Sequence, residues 1–396
     1  MEHVLYWLWL TAKFAAADSK ITKLFERFDS IEDIYFSKNF NNIYGISQND
    51  MEHLLDKDLS TAQAIMEKTA KLGGKIIVYD DENYPRLLKN ISNPPYVLYI
   101  LGKVPELDKV LTIGVVGTRD SSEYGRMVTE RICRTLARSG VVTIGGLASG
   151  IDAVGAWATI DEGGIAVGVI AGGLDTVYPR ENAELYKAVK EKGCIMTEYP
   201  PLTPPLRTNF PVRNRIIAGL SRGVLVTEAP EKSGALITAN HALEYNRDVF
   251  AVPRRITDTE YLGTNMLIQQ GAKLVNGAED ILAEYPYAVK IKPKRTNAEK
   301  PPRVVKAEIK KENKAAKGNR TEDKPKTENK EINEKYNSLN GKDKSIIDLL
   351  RVKDMQIDEI SRELGISVGE LNTRLIMLEC SGLIRRLPAS AYQLNV

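Results

Sequence analysis

From about residue 110 to 285 the chain repeats one pattern, a short apolar run followed by a stretch of amphipathic helical period. The runs fall at 111–116, 141–144, 165–170, 194–197, 224–227, 249–252 and 273–275. Strands apolar on both faces and separated by helices pack as a mostly parallel sheet covered on both sides. The pattern therefore predicts an α/β fold, with an extended Rossmann-like domain over residues 71–287. Ligands of such sheets bind outside the carboxyl ends of the strands, so the loops that follow the runs are where chemistry is sought.

The flanks differ. Residues 1–70 carry helical periodicity in Tyr6-Trp7-Leu10, Leu24-Phe25-Phe28, Leu54-Leu55-Leu59 and Ala62-Ile65-Met66, with Asp50 and Ser60 at cap positions. The turn Tyr44-Gly45-Ile46-Ser47 has the form of a helix-hairpin-helix turn, but reads first as part of a small all-helical scaffold. Apolar residues at 76–79 and 96–100 predict two short strands. Residues 288–335 hold sixteen basic against eight acidic side chains, a local +8 that leaves −5 for the rest of a chain whose net charge is +3. Without periodicity or aromatics this segment predicts a disordered basic tether. Residues 336–396 have helix-turn-helix spacing, then Leu383-Ile384-Arg385-Arg386 and Tyr392-Gln393-Leu394 as a wing. A winged helix follows, yet Arg374 is the one base on its second helix, so a protein-contact or dimerising role stands level with DNA reading.

Because the folded parts are acidic on balance, any site for nucleic acid there must be a local cluster of cations. Three cysteines far apart, with no CxxC pair, point to a reduced, cytoplasmic setting and away from structural zinc. No apolar run is long enough for membrane insertion.

The loops themselves are informative. Gly117-Thr118-Arg119 ends one strand. Gly145, Gly146, Ser149 and Gly150 lie between the next strand and a helix starting near Ile151, an arrangement that suits an anion at a helix N-terminus. Its spacing is neither that of a dinucleotide fingerprint nor a Walker loop. Gly172-Gly173-Leu174-Asp175-Thr176-Val177-Tyr178 offers an aromatic that either stacks a base or, the favoured reading, caps the core. Lys232, Ser233 and Gly234 precede a further helix. Phe210-Pro211-Val212-Arg213-Asn214-Arg215 reads as a proline-fixed loop bearing two guanidinium groups above a helix anchored by Ile216, Ile217 and Leu220. Such a segment is either an anion clamp or a pair of surface salt bridges, and the neighbouring donor loops favour the clamp. Catalytic sets are missing: His241 is the one histidine of the sheet region, and no Ser–His–acid group or metal cluster is evident. Asp152, Asp175 and Glu228 remain as possible acids or bases, though carboxylates in such loops more often cap helices.

Taken in order, Val116-Gly117-Thr118-Arg119, residues 145–152, residues 172–179, residues 210–221, Lys232-Ser233-Gly234 and Gly263-Thr264-Asn265 resemble the DprA (Smf) family of DNA-processing proteins. The resemblance implies a non-enzymatic binder of single-stranded DNA that protects incoming strands and loads the RecA recombinase during natural transformation. It implies a homodimer without cofactors. Carried over by position, Arg119, Arg213, Arg215 and Lys232 would contact phosphates, while Asn214, Ser233 and Gly234 would orient the loops. This chain departs from the family pattern in three places. Pro253-Arg254-Arg255 replaces Pro-Gly, Leu202 stands at the glycine of Pro-Pro-Gly-Thr, and Ala153-Val154 lacks the usual Ala-His. An alternative reading is a phosphoribohydrolase-like enzyme with residues 145–152 cradling phosphate and Glu228 acting on the glycosidic bond. A third is a transcriptional regulator acting through the winged helix.

Overall fold

The computed structural model describes residues 2–288, 341–352, 355–366, 371, 374, 375, 378, 383–387 and 391–394. The tether expected from the charge run lies outside these residues apart from Ala288, as does most of the second helix of the expected helix-turn-helix. The described chain divides into two compact units, split after Lys306.

The first unit is built on a nine-stranded sheet. Its strands are β1 (Lys75–Val78), β2 (Val97–Gly102), β3 (Thr112–Val116), β4 (Val142–Gly145), β5 (Ala166–Val169), β6 (Cys194–Thr197), β7 (Gly223–Val226), β8 (Asp248–Ala251) and β9 (Lys273–Leu274). Their order is β1-β2-β6-β5-β4-β3-β7-β8-β9. The seven apolar runs form β3 to β9 and pair in parallel. Every residue of β3, β5, β6 and β7 is buried, as strands covered on both faces must be. The two earlier runs join the same sheet: β1 pairs antiparallel with β2, and β2 antiparallel with β6.

Helices α1 (Glu2–Lys13), α2 (Ser19–Phe25), α3 (Ile31–Phe36), α4 (Gln48–Leu55) and α5 (Ser60–Lys71) precede the sheet. Trp7, Trp9, Leu24, Ile34 and Leu54 are buried and share one apolar cluster with Val78, Tyr96, Tyr99, Leu147 and Leu185. Ser47, not Asp50, is the N-cap of α4. Asp50 sits three residues on and accepts from the Ser47 N–H at 2.8 Å, closing a reciprocal capping box. Likewise the Asp58 side chain, rather than Ser60, accepts the amide that opens α5.

After the one-turn α6 (Arg86–Lys89), the crossover helices follow: α7 (Glu123–Arg138), α8 (Ile151–Asp161), α9 (Ala183–Lys192), α10 (Asn209–Leu220), α11 (Gly234–Glu244), α12 (Gly263–Gln269) and α13 (Ala278–Leu282). Ile216, Ile217 and Leu220 of α10, with Ala235, Ala239 and Ala242 of α11, cover one face of the sheet. Ile132, Cys133 and Leu136 of α7 pack with Ile113, Val115 and Phe250 on the other.

The second unit holds α14 (Gly341–Val352), β10 (Met355–Gln356), α15 (Ile357–Leu364), β11 (Ile384–Leu387) and β12 (Ala391–Leu394). The strands run antiparallel in the order β10-β12-β11 over a core that includes Ile346, Ile347, Ile360, Leu375 and Tyr392. Helices beside a short antiparallel wing make this a winged helix. Arg374, the expected base of its second helix, lies 2.9 Å from Asp343.

Candidate nucleic-acid interface

Strand β3 is the centre from which the chain winds outward twice, through β4, β5 and β6 to one side and then through β7, β8 and β9 to the other. The direction reverses between β3 and β7, which opens a crevice beyond the carboxyl ends of these strands. The loops singled out in the sequence lie along this edge.

The loop after β3 carries Arg119, which is exposed. The Thr118 N–H donates to the Glu228 carbonyl at 2.8 Å, and the Thr118 carbonyl accepts from the Ile151 N–H at 3.1 Å, so this loop is stitched to β7 and to the start of α8. Gly150, with φ +76°, lies against the carbonyls of Thr118 and Arg119, where a side chain would collide.

The glycine loop after β4 holds a carboxyl group of its own. Asp152 folds back from the first turn of buried α8, and its Oδ2 accepts the Gly146 N–H at 2.8 Å. The donor expected to face a phosphate is thus taken by a carboxylate of the chain. Burial pushes the Asp152 carboxyl up, against the pull of Arg213, the Gly146 and Ala148 amides, and Arg119. Ser149 is bound to Glu181 at 2.6 Å and the Asn182 amide donates to the Leu147 carbonyl at 2.9 Å, fixing the rest of the loop.

Residues 210–221 are not a loop above a helix. Helix α10 begins at Asn209 and runs to Leu220, with Ser221 as its C-cap. Pro211 falls in its first turn, where a missing N–H has no intrahelical partner to lose. Two positions apart on a helix, Arg213 and Arg215 leave it on nearly opposite sides, and both are buried at 4% exposure. Arg213 reaches the ends of β4 and β5, donating to the Gly146 carbonyl at 3.0 Å and to the Val169 carbonyl. Burial lowers its pKa but leaves it a cation. Arg215 forms an ion pair with Glu198 at 2.6 Å, both side chains buried. Asn214 donates to the Gly234 carbonyl at 3.1 Å, tying α10 to the start of α11. Ser233 caps α11 by accepting the Ala235 N–H at 3.2 Å, and Lys232 before it is exposed.

The structure therefore brings Arg119, Lys232, Ser233 and Gly234 to the two lips of the crevice. It sets Arg213, Asn214 and Arg215 beneath them as internal ties. Arg254 is also internal: it is ion-paired with Glu228 at 3.1 Å and with Asp258 at 3.1 Å, while Arg255 is exposed. Glu228 is wholly buried, its carboxylate taken by Ser122 and Arg254.

A residue the sequence reading left without a role stands in the middle. The half-buried Phe210 ring has the Arg119 guanidinium 5.1 Å from its centre and that of Arg213 at 5.8 Å. Tyr178, 43% exposed, lies 5.4 Å from it, centre to centre. Phe210, Tyr178, Gly146, Ala171, Gly172 and Arg213 line a small cleft here. Arg180, two residues after Tyr178, and Arg207, three before Phe210, are exposed. An aromatic face ringed by cations suits a base stacked beside a tracked phosphate. The sequence signal was present in the aromatic that heads the arginine-bearing segment. Leu202, at the position of the family glycine, takes the left-handed φ of +73° that glycine favours, and its N–H donates to Asp175 at 2.8 Å. Among the described residues there is no cluster of side chains able to hold a metal, and no helix is long and apolar enough to cross a membrane.

Residues 75–286 match the family model of DNA recombination-mediator protein A, and residues 333–390 that of the DprA winged helix domain. The DNA processing protein DprA of Bacillus subtilis is 46% identical over 214 residues, covering 54% of this chain and 72% of the relative. The X-ray structure of DprA from Streptococcus pneumoniae superposes with a TM-score of 0.60 at 34% identity, over 72% of this chain and 98% of that one. DprA from Helicobacter pylori, solved to describe its single-stranded DNA binding mode, gives 0.50 at 27% identity, over 55% and 97%.

Proposed function

Since the chain belongs to the DNA recombination-mediator protein A (DprA/Smf) family and its role lies in DNA processing and recombination, we propose that it grips single-stranded DNA along the carboxyl edge of its sheet. In this reading it holds incoming strands and passes them to a RecA-type recombinase during natural transformation, as a homodimer and without catalysing a reaction. The observation that carries the reading is the Phe210 ring with the exposed Arg119 above it and the buried Arg213 behind. One base stacks on Phe210, with Tyr178 beside it. Arg119 and Lys232 contact phosphates, with Arg180 and Arg207 extending the track. Ser233 and Gly234 shape the lip near Lys232. Residues 145–150 contribute as a scaffold around Asp152 rather than as a phosphate cradle, and Arg213, Asn214 and Arg215 hold the platform. A single strand fits this platform because its bases are free to stack, whereas a duplex keeps them paired.

The test is a competition between labelled oligo-dT and duplex DNA of equal length at two salt concentrations. Wild type is expected to prefer the single strand. Phe210→Ala should lose about 1–3 kcal/mol of affinity, the worth of one stacked base. Arg119→Ala should flatten the dependence on salt by about 0.7, one phosphate on a single strand. Equal competition by duplex, or both variants binding as wild type, would refute the grip. Recombinase delivery is checked separately by strand exchange on oligo-dT-tailed DNA with and without the protein.

A further inference from the structure

Glu228, just past the end of β7, is a fully buried carboxylate at the crevice. Its oxygens accept from the Ser122 N–H at 2.8 Å and the Ser122 hydroxyl at 2.6 Å. Among the described residues its one cationic partner is Arg254, 3.1 Å away. The Arg254 side chain is only 6% exposed, and its other terminal nitrogen meets Asp258 at 3.1 Å. Its guanidinium carbon lies 4.7 Å from the centre of the Tyr124 ring and 5.0 Å from that of Tyr261. The Asn265 side chain clasps its backbone, accepting from the N–H at 2.9 Å and donating to the carbonyl at 3.0 Å. The Tyr261 hydroxyl then donates to the Asp120 carbonyl at 3.2 Å. A guanidinium so enclosed has no face left for a phosphate, although it stands at the same sheet edge as the exposed cations.

What the enclosure secures is the loop after β3. Thr118 is tied to the Glu228 backbone, Asp120 to Tyr261 and Ser122 to the Glu228 carboxylate. Arg119 sits inside these three ties. A carboxylate left without its counter-charge at this depth is strongly destabilised, which loosens its hold on Ser122. We propose that Arg254 is a positioning residue: as the counter-charge to Glu228 it fixes the loop through Ser122 and so sets where Arg119 presents its guanidinium to the strand. The proposal rests on the reading of Arg119 as a strand contact, but the latch is testable without DNA.

Amide hydrogen exchange on the full chain gives the direct readout. Arg254→Gln is expected to speed exchange at Thr118 and Ser122 by about tenfold, as the loop opens more readily by about 1.4 kcal/mol. Oligo-dT binding gives the second. Arg254→Gln should weaken affinity and flatten the salt slope as Arg119→Ala does, and Arg119→Ala/Arg254→Gln should be no weaker than Arg119→Ala alone. Additive losses, with the slope falling by about two phosphates' worth in the double variant, would mean that Arg254 touches phosphate itself and would overturn the proposal. Should Arg254→Gln fail to fold, the charge-neutral Arg254→Gln/Glu228→Gln is expected to fold and to exchange at Thr118 and Ser122 as wild type, because no buried charge is then left without its partner, and its failure to fold would overturn the counter-charge role. Unchanged exchange at Thr118 and Ser122 in Arg254→Gln overturns the latch even where wild type binds DNA. Wild type that ignores oligo-dT while the exchange effect is present overturns the single-strand reading instead.

Discussion

Arg213 exposes 4% of its surface, so its removal is felt first by the protein. Arg213→Ala would orphan the carbonyls it binds at the ends of β4 and β5 and leave Asp152 without its nearest buried cation. A loss of about 3 kcal/mol is expected in denaturant melts. Arg119→Ala should melt as wild type, because the side chain is exposed and rests against one face of the Phe210 ring. Gly146→Ala should behave like Arg213→Ala, since the added methyl would lie 2.5 Å from an Arg213 nitrogen and 2.7 Å from Asp152. Equal melting of Arg213→Ala and Arg119→Ala would contradict this division of labour. At this scale the sequence announced which residues matter and left their facing hidden. Arg213-Asn214-Arg215 could be marked from chemistry alone. Neither faces solvent: Arg213 turns to carbonyls at the ends of β4 and β5, 67 and 44 positions earlier, and Arg215 to Glu198, 17 positions earlier.

The elements were legible wherever periodicity spoke and opaque wherever punctuation did. Seven apolar runs became seven parallel strands, but Pro211 suggested a loop where it opens α10, because a proline in a first helical turn and one in a turn look alike in sequence. Asp50 shows the same limit in milder form, being the third residue of a box whose cap is Ser47. The box has a pH consequence. Burial alone would push the Asp50 carboxyl up, but the Ser47 hydroxyl and N–H and the Lys20 ammonium outweigh it and hold the pKa at about 2, against an ordinary 3.8. A folded pKa below the unfolded one adds stability that is present above about pH 4 and lost as pH falls towards 2. The shift corresponds to about 2 kcal/mol. Acid melts of Asp50→Asn should therefore lie below wild type at pH 6 and converge with it near pH 2. A constant gap across that range would show that the box holds no such charge.

For the whole molecule, a mostly parallel sheet could be inferred from residue pattern. The place of β1 and β2 could not. Short apolar runs fit any edge, and only the complete sheet shows that β2 lies against β6. The order in which the strands lie across the sheet was equally hidden, and it has a practical corollary. Because the chain winds away from β3 in both directions, the half ending at β6 and the half beginning with α10 meet in the sheet along one line, β3 against β7. They are joined covalently only by the segment between β6 and α10, whose Leu202, Leu206 and Arg207 lie at the surface. Arg119 belongs to the first half, and Phe210 and Lys232 to the second. The protein is in effect a two-part reporter awaiting a cut. Pieces ending at Thr203 and starting at Pro204, expressed together, should reassemble into a species that retains oligo-dT on a column, while each piece passed over it separately should flow through.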